Sequence, residues 1–260
     1  MKKIKISPSA IETFHRCSIQ YKWKVLDEVT PDPGSDNLYA VLGSAVHKAG
    51  ELGDKYGITI DALKKAWKIL FLNYHSETQN LLDDDYNSFL SRGYELIINM
   101  FEMKKRWEDK TIVIANERYI RLPYENKFLK NVFLSGKIDV ILKNKIEEVF
   151  TALDWKTARK TKTQKDADKD LQLSFYIYFI HKLFNAEFKN IHACLAYPSS
   201  KRLVFTQRTK EELQIVMFDK LDNMLKRIKE NDFYKEPKKC GNLNNCTFCP
   251  YIISCDKRNK

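Results

Sequence analysis

The sequence predicts a mixed α/β (α+β) fold, a mixed sheet flanked by helices, with a helical N-terminal part and a Cys-rich C-terminal tail. Apolar residues recur at helical spacing in the first part of the chain, as in Tyr94, Ile97, Ile98 and Phe101. Near residue 111 the pattern changes to short runs rich in Val, Ile, Phe and Thr. The order that results is helices, three strands, a helix, further strands and a last helix, which suits a layered α/β domain. The 260 residues, 43% apolar and 12% aromatic, supply enough material for a packed core. We read them as a single domain over 1–260, with a helical region at 1–110, a sheet core at 111–208, and a helix and tail at 209–260.

Ser7-Pro8-Ser9-Ala10-Ile11-Glu12 opens the first helix. Ser7 suits the N-cap and Pro8 the first helical position, and Ser9 to Glu12 has capping-box spacing. Ile11, Phe14, Ile19, Trp23 and Leu26 give this helix its apolar side. Thr30 to Asn37 is a loop by composition, and helical patterns follow around 38–53, 60–81 and 87–108. Strands are expected at Thr111 to Tyr119, Asn131 to Leu142 and Glu148 to Asp154, with a hairpin turn at Asn144-Lys145. A basic loop spans 158–165, a helix 168–184, strands 190–197 and 202–207, and a helix 209–230. No internal repeat is present.

With 45 basic against 34 acidic residues, the chain carries +11 at neutral pH. That surplus favours a polyanionic partner, nucleic acid before an anionic membrane. No apolar run is long enough to span a bilayer, so a cytoplasmic protein without membrane association is expected. Of the six cysteines, Cys240, Cys246, Cys249 and Cys255 crowd the C-terminus, while Cys17 and Cys194 stand apart. Such clustering in an intracellular chain points to metal rather than disulfides. Cys194, on a strand of buried character, reads as a small apolar residue.

The informative stretch is Gly136-Lys137-Ile138-Asp139 followed by Asp154-Trp155-Lys156. Asp139 and Asp154 fall on strands joined by a short turn, so both carboxylates reach one end of the sheet. Close carboxylates repel unless a cation sits between them, and Mg²⁺ or Mn²⁺ takes oxygen ligands of this kind. Lys156 lies two residues from Asp154 and therefore on the same strand face. There an ammonium can orient an attacking water, while the Trp155 carbonyl offers a further oxygen. By spacing alone the commoner reading is two strand-end aspartates in solvent and a surface lysine. His47 lies among small residues in Gly43-Ser44-Ala45-Val46-His47, on a helix suited to close approach. Gln172 and Tyr176, four residues apart, share a helix face that could meet a sugar–phosphate chain or simply border the core.

Taken together, Gly-Ser-Ala-Val-His47, Gly-Lys-Ile-Asp139, Asp154-Trp-Lys156 and Gln172-x-x-x-Tyr176 resemble the RecB-type branch of the PD-(D/E)XK nuclease superfamily. Ile138 stands where the family's name has proline. The resemblance implies a restriction-endonuclease-like core, with His47, Asp139, Asp154 and the Trp155 carbonyl around Mg²⁺ or Mn²⁺. Lys156 would be the catalytic lysine, with Gln172 and Tyr176 on the substrate side. It implies DNA as substrate, with Arg159, Lys160, Lys162 and Lys165 on backbone phosphates. Exonuclease action, on single strands or DNA ends, is a family inference. With no G-x-x-x-x-G-K-[ST] sequence for unwinding, a helicase or recombination partner is implied.

Cys246-Thr-Phe-Cys249-Pro-Tyr-Ile-Ile-Ser-Cys255 supplies one close pair and one distant thiol. Zinc held by Cys240, Cys246, Cys249 and Cys255 is one reading. The chain also resembles AddB-like nucleases and the exonucleases of CRISPR adaptation and phage recombination that carry an iron–sulfur cluster. That likeness implies Cys17, Cys246, Cys249 and Cys255 around a [4Fe–4S] cluster clamping the two chain ends. Phe248 and Tyr251 are candidates either to stack on unpaired bases or to pack in the core. A catalytically silent DNA-binding or scaffold subunit is the competing functional reading.

Overall fold

A computed structural model describes residues 3–32, 38–56, 59–65, 67, 83–233, 249–251 and 255. Much of the expected helix over 60–81 and of the loop ending at Asn37 lies outside these residues, as do Cys240, Cys246 and Phe248. In chain order the elements are β1 (Ile4–Ile6), α1 (Pro8–Arg16), α2 (Ser18–Tyr21), α3 (Leu38–Tyr56), α4 (Asp83–Lys105), β2 (Thr111–Pro123), β3 (Val132–Asn144), β4 (Phe150–Trp155), α5 (Gln164–Ala167), α6 (Leu171–Phe184), β5 (Ile191–Tyr197), β6 (Arg202–Thr206), α7 (Lys210–Leu213) and α8 (Asp219–Lys229). The described strands form one six-stranded mixed sheet. The chain divides into two compact units, one of Met1–Asp36, Arg121–Gly136 and Gln214–Lys260, the other of Asn37–Ile120 and Lys137–Leu213.

In the first unit β1 runs parallel to the start of β3, with Ile4 opposite Val132. Three residues are too few to show a period, so this strand was not expected. Ser7 caps α1 by accepting the Ala10 N–H at 3.2 Å, and Pro8 fills the first turn. Ser9 lies inside that helix with its hydroxyl 2.9 Å from that of Ser7, so the cap is Ser7 alone rather than a Ser9–Glu12 box. The expected single helix through Leu26 breaks at Cys17, whose backbone is extended (φ −158°, ψ 103°). The chain then resumes as α2 and a π-helical turn, Lys22–Leu26. Ile11, Phe14 and Tyr21 are buried with Leu221 and Leu225 of α8, and the Arg227 guanidinium lies 4.8 Å from the Phe14 ring centroid.

In the second unit β3 and β4 form the expected antiparallel hairpin, Val140 opposite Leu153. Asn144 closes its turn, accepting from the Ile146 and Glu147 N–H groups through its side chain. β4 pairs with β5 in parallel, and β5 with β6 antiparallel. The crossover from β4 to β5 needs a covering helix, and α6 packs on both strands. It begins at Leu171 rather than 168, because Asp170 caps it by accepting the Leu173 N–H at 3.0 Å. The preceding residues make their own short helix α5, started by a Thr163–Asp166 capping box.

α3 and α4 pack together in the second unit, and Leu42, Val46 and Ala49 bury with Leu96, Ile97, Met100, Val140, Leu153 and Trp155. Each large apolar side chain so buried contributes about 1.5–3 kcal/mol. Gly93 of α4 lets the Trp67 indole lie against the helix, since a Cβ there would overlap the ring. Among the described residues no helix is long and apolar enough to cross a membrane.

Candidate active site

The β3–β4 hairpin sets the site. Its register, continued one step beyond Val140 and Leu153, brings Asp139 and Asp154 opposite one another. Asp139 is buried and its Oδ2 accepts the Trp155 backbone N–H at 2.7 Å. Asp154 is also buried, and its two oxygens have different partners. Oδ2 lies 2.6 Å from the Lys156 ammonium. Oδ1 accepts from the Gln172 amide at 2.8 Å and lies 3.1 Å from the Tyr176 hydroxyl.

The four-residue spacing on α6 does what the sequence predicts, placing Gln172 and Tyr176 side by side over β4. The Gln172 oxygen accepts from Lys156 at 2.9 Å, and its NH₂ also donates to the Tyr176 oxygen at 2.6 Å. Tyr176 is 2.7 Å from the Lys137 carbonyl, the shorter of its two acceptor contacts, which ties α6 to β3. Asp154, Lys156, Gln172 and Tyr176 thus form one connected polar network.

His47 projects from α3 toward the same hairpin. Its Nδ1 is 3.4 Å from Asp139 Oδ1 and 3.7 Å from Glu117 Oε1. The other Glu117 oxygen forms an ion pair with Lys137. His47, Glu117 and Asp139 are the group of metal-type donors found among the described residues, their ligand atoms all within 4.8 Å of one another. They line a cleft of about 500 Å³ that also includes Gly43, Ser44 and Lys48. Glu117 was not anticipated. It occupies β2 with a left-handed backbone (φ 49°), an uncommon conformation for a residue with a Cβ. A local kink of this kind re-aims a strand side chain, and period-two alternation carries no sign of it.

Electrostatics follow from the crowding. Burial alone would lower the His47 pKa, but Asp139 and Glu117 outweigh it and raise the imidazole to about 10. His47 is therefore a cation held between carboxylates. Burial raises the Glu117 carboxyl, yet His47 and Lys137 pull it below the usual range. Burial pushes Asp154 up to about 6, with Lys156 restraining the rise and Asp139 adding to it. Lys156 loses hydration on burial, but Asp154 more than compensates and keeps the amine protonated. A divalent cation would take the place of the ring proton, since only a neutral imidazole has a lone pair to give, and one imidazole with two carboxylates then fits such a cation in chemistry and spacing.

Other predicted residues are distributed as follows. Trp155 donates its backbone N–H to Asp139, and its buried ring lies 6.1 Å from that of Trp107 and 5.9 Å from the Lys104 ammonium. Arg159, Lys160 and Lys165 are exposed, while the Lys162 ammonium lies 2.5 Å from the helix-capping Asp170. In the first unit Cys249 sits near Cys17 and Cys255, and burial followed by those two neighbours raises its thiol pKa. Cys17, Cys194, Cys249 and Cys255 carry no disulfide. Tyr251 is 1% exposed, packs edge-on against Trp23 and donates to the Val29 carbonyl at 3.2 Å. Its ring is thus core and is not available to stack on a base.

A mixed sheet whose hairpin presents paired carboxylates and a lysine beside a metal-type donor group is the architecture of a carboxylate-dependent nuclease. The sequence pattern of the PD-(D/E)XK nuclease superfamily matches residues 5–256, and the chain belongs to that superfamily. No curated protein matches the chain.

Proposed function

We propose that this nuclease is a metal-dependent DNA exonuclease of the RecB type, acting on single-stranded DNA or DNA ends. The observation that carries the reading is the continuous polar network from Lys156 through Asp154, Gln172 and Tyr176, set beside His47, Glu117 and Asp139. His47, Asp139, Asp154 and the Trp155 carbonyl would hold Mg²⁺ or Mn²⁺, with Glu117 as an added ligand. The bound cation would polarise the scissile phosphate and lower the pKa of a coordinated water.

The chain's own residues do the rest. Lys156, kept protonated by Asp154, offers N–H donors for orienting a water and offsetting phosphate charge. Gln172 fixes the Lys156 ammonium by accepting from it, and Tyr176 fixes Gln172. Arg159, Lys160 and Lys165, with Lys162 beside Asp170, supply sequence-indifferent attraction to the phosphate backbone. Cys17, Cys246, Cys249 and Cys255 would ligate a [4Fe–4S] cluster, and the proximity of three of these thiols supports that reading over unrelated surface cysteines. The setting would be cytoplasmic, with a helicase or recombination partner for unwinding.

The test is degradation of labelled single strands and duplexes, with label at either end, in Mg²⁺, Mn²⁺ or EDTA. The proposal predicts stepwise shortening from an end that EDTA abolishes. DNA binding without degradation in any metal favours the silent scaffold instead, although a connected Asp154–Lys156 pair argues for chemistry. Iron analysis of anaerobically purified protein separates the cluster from zinc. Loss of iron in Cys17→Ser is expected, and retention would move the fourth ligand to Cys240.

A further inference from the structure

Along α3, Tyr39, Gly43 and His47 recur every four residues and so lie on one stripe, with Tyr39 about 12 Å of helix rise from His47. Tyr39 is 62% exposed, unusual for a large ring. It borders a cleft of about 360 Å³ formed with Leu42, Arg92, Thr157, Ala158 and Arg159. The Arg92 guanidinium lies 5.8 Å from the Tyr39 ring centroid, and Phe89 meets that ring edge-on at 5.2 Å. Arg92 also donates to the Thr157 carbonyl at 2.7 Å, which anchors it beside the segment that follows Lys156.

Arg159 lines the same cleft as Arg92, near enough for the two like charges to repel. Among the described residues no ion pair involves either guanidinium, and Glu95 acts on Arg92 only at longer range. Two neighbouring guanidiniums are relieved by an anion, and their planar forks match a phosphate. The Tyr39 ring, largely exposed although Arg92 and Phe89 border it, adds an aromatic surface to the same cleft. Aromatic face, paired guanidiniums and concavity in one cleft describe the recognition of a base and its phosphate together.

We propose that this cleft binds one unpaired nucleotide of the substrate strand, its base stacked on Tyr39 and its phosphate held by Arg92 and Arg159. The proposal rests on the nuclease reading for its substrate and names the part of the strand engaged. A base inside a duplex cannot offer its face to Tyr39, because the pairs above and below cover it. The subsite therefore selects single-stranded DNA.

Binding is measured by fluorescence anisotropy in EDTA, so that hydrolysis plays no part. The probes are a short labelled oligothymidylate, a strand of equal length without bases, and a duplex. Tyr39→Ala weakens oligothymidylate binding about tenfold, the scale of one lost base–aromatic stack. Tyr39→Phe keeps the affinity, Tyr39→Leu loses it as Ala does, and neither the abasic strand nor the duplex distinguishes these variants from the parent. Arg159→Ala weakens oligothymidylate and abasic strand alike. Circular dichroism verifies folding of each variant. Unchanged oligothymidylate binding in Tyr39→Ala and Tyr39→Leu overturns the subsite, as does equal loss on the abasic strand. A protein that discriminates at Tyr39 yet cuts nothing leaves the subsite standing and removes the proposed reaction. An active nuclease indifferent to Tyr39 does the reverse.

Discussion

The Trp155 backbone N–H donates to Asp139 Oδ2 at 2.7 Å, so β4 holds the carboxylate of the strand beside it. One residue back, Asp154 stands opposite Asp139 in the hairpin register. The Asp139 carboxylate is thereby fixed by the backbone of β4, while that of Asp154 is held by the side chains of Lys156, Gln172 and Tyr176.

This predicts a separation of folding from chemistry at Asp139. Asp139→Asn retains an acceptor for the Trp155 N–H and should melt near the parent while losing metal-dependent cleavage. Asp139→Leu leaves that buried N–H unpaired and should cost about 1–3 kcal/mol in addition. Urea unfolding and cleavage assays on both variants check the pair.

Glu117 should matter for metal rather than for fold. Its carboxylate is within reach of His47 and paired with Lys137, and Glu117→Gln keeps the shape while removing the charge. Mn²⁺ affinity measured by calorimetry should fall about tenfold or more. An unchanged affinity would remove Glu117 from the donor group.

Gly93 should resist any side chain. A Cβ at this position would overlap the Trp67 indole, which donates to the Leu90 carbonyl at 3.0 Å and so is not free to swing away. Gly93→Ala should lower the unfolding free energy by about 1–3 kcal/mol despite its gain in helix propensity.

Cys194 should be chemically silent in the folded protein. It is fully buried, and desolvation pushes its thiol up to about 12. Almost no thiolate exists at neutral pH, so iodoacetamide should label it only in denaturant. Mass spectrometry of native and unfolded samples reads this directly.

Much of the site is legible in the sequence because it follows regular periods. Asp154 and Lys156 share a face by strand alternation, Gln172 and Tyr176 by the helical repeat, and Asp139 meets Asp154 through a turn that Asn144 announces. Glu117 escapes such reading because a single left-handed residue within β2 directs it. The break at Cys17 is hidden as well, since the apolar pattern of the first helix continues on both sides of it. α6 starts late because the Asp170 side chain overrides a helical pattern that begins upstream. In each case a local backbone feature, invisible to periodicity, decides the outcome.

We propose that Lys156 serves the chemistry while His47, Glu117, Asp139 and Asp154 serve the cation. The most direct test compares parent and Lys156→Ala protein for Mn²⁺ binding, single-strand binding and end-labelled cleavage in the same preparations. The variant should still bind Mn²⁺ and DNA but no longer cut. Cleavage at the parental rate by Lys156→Ala would contradict it.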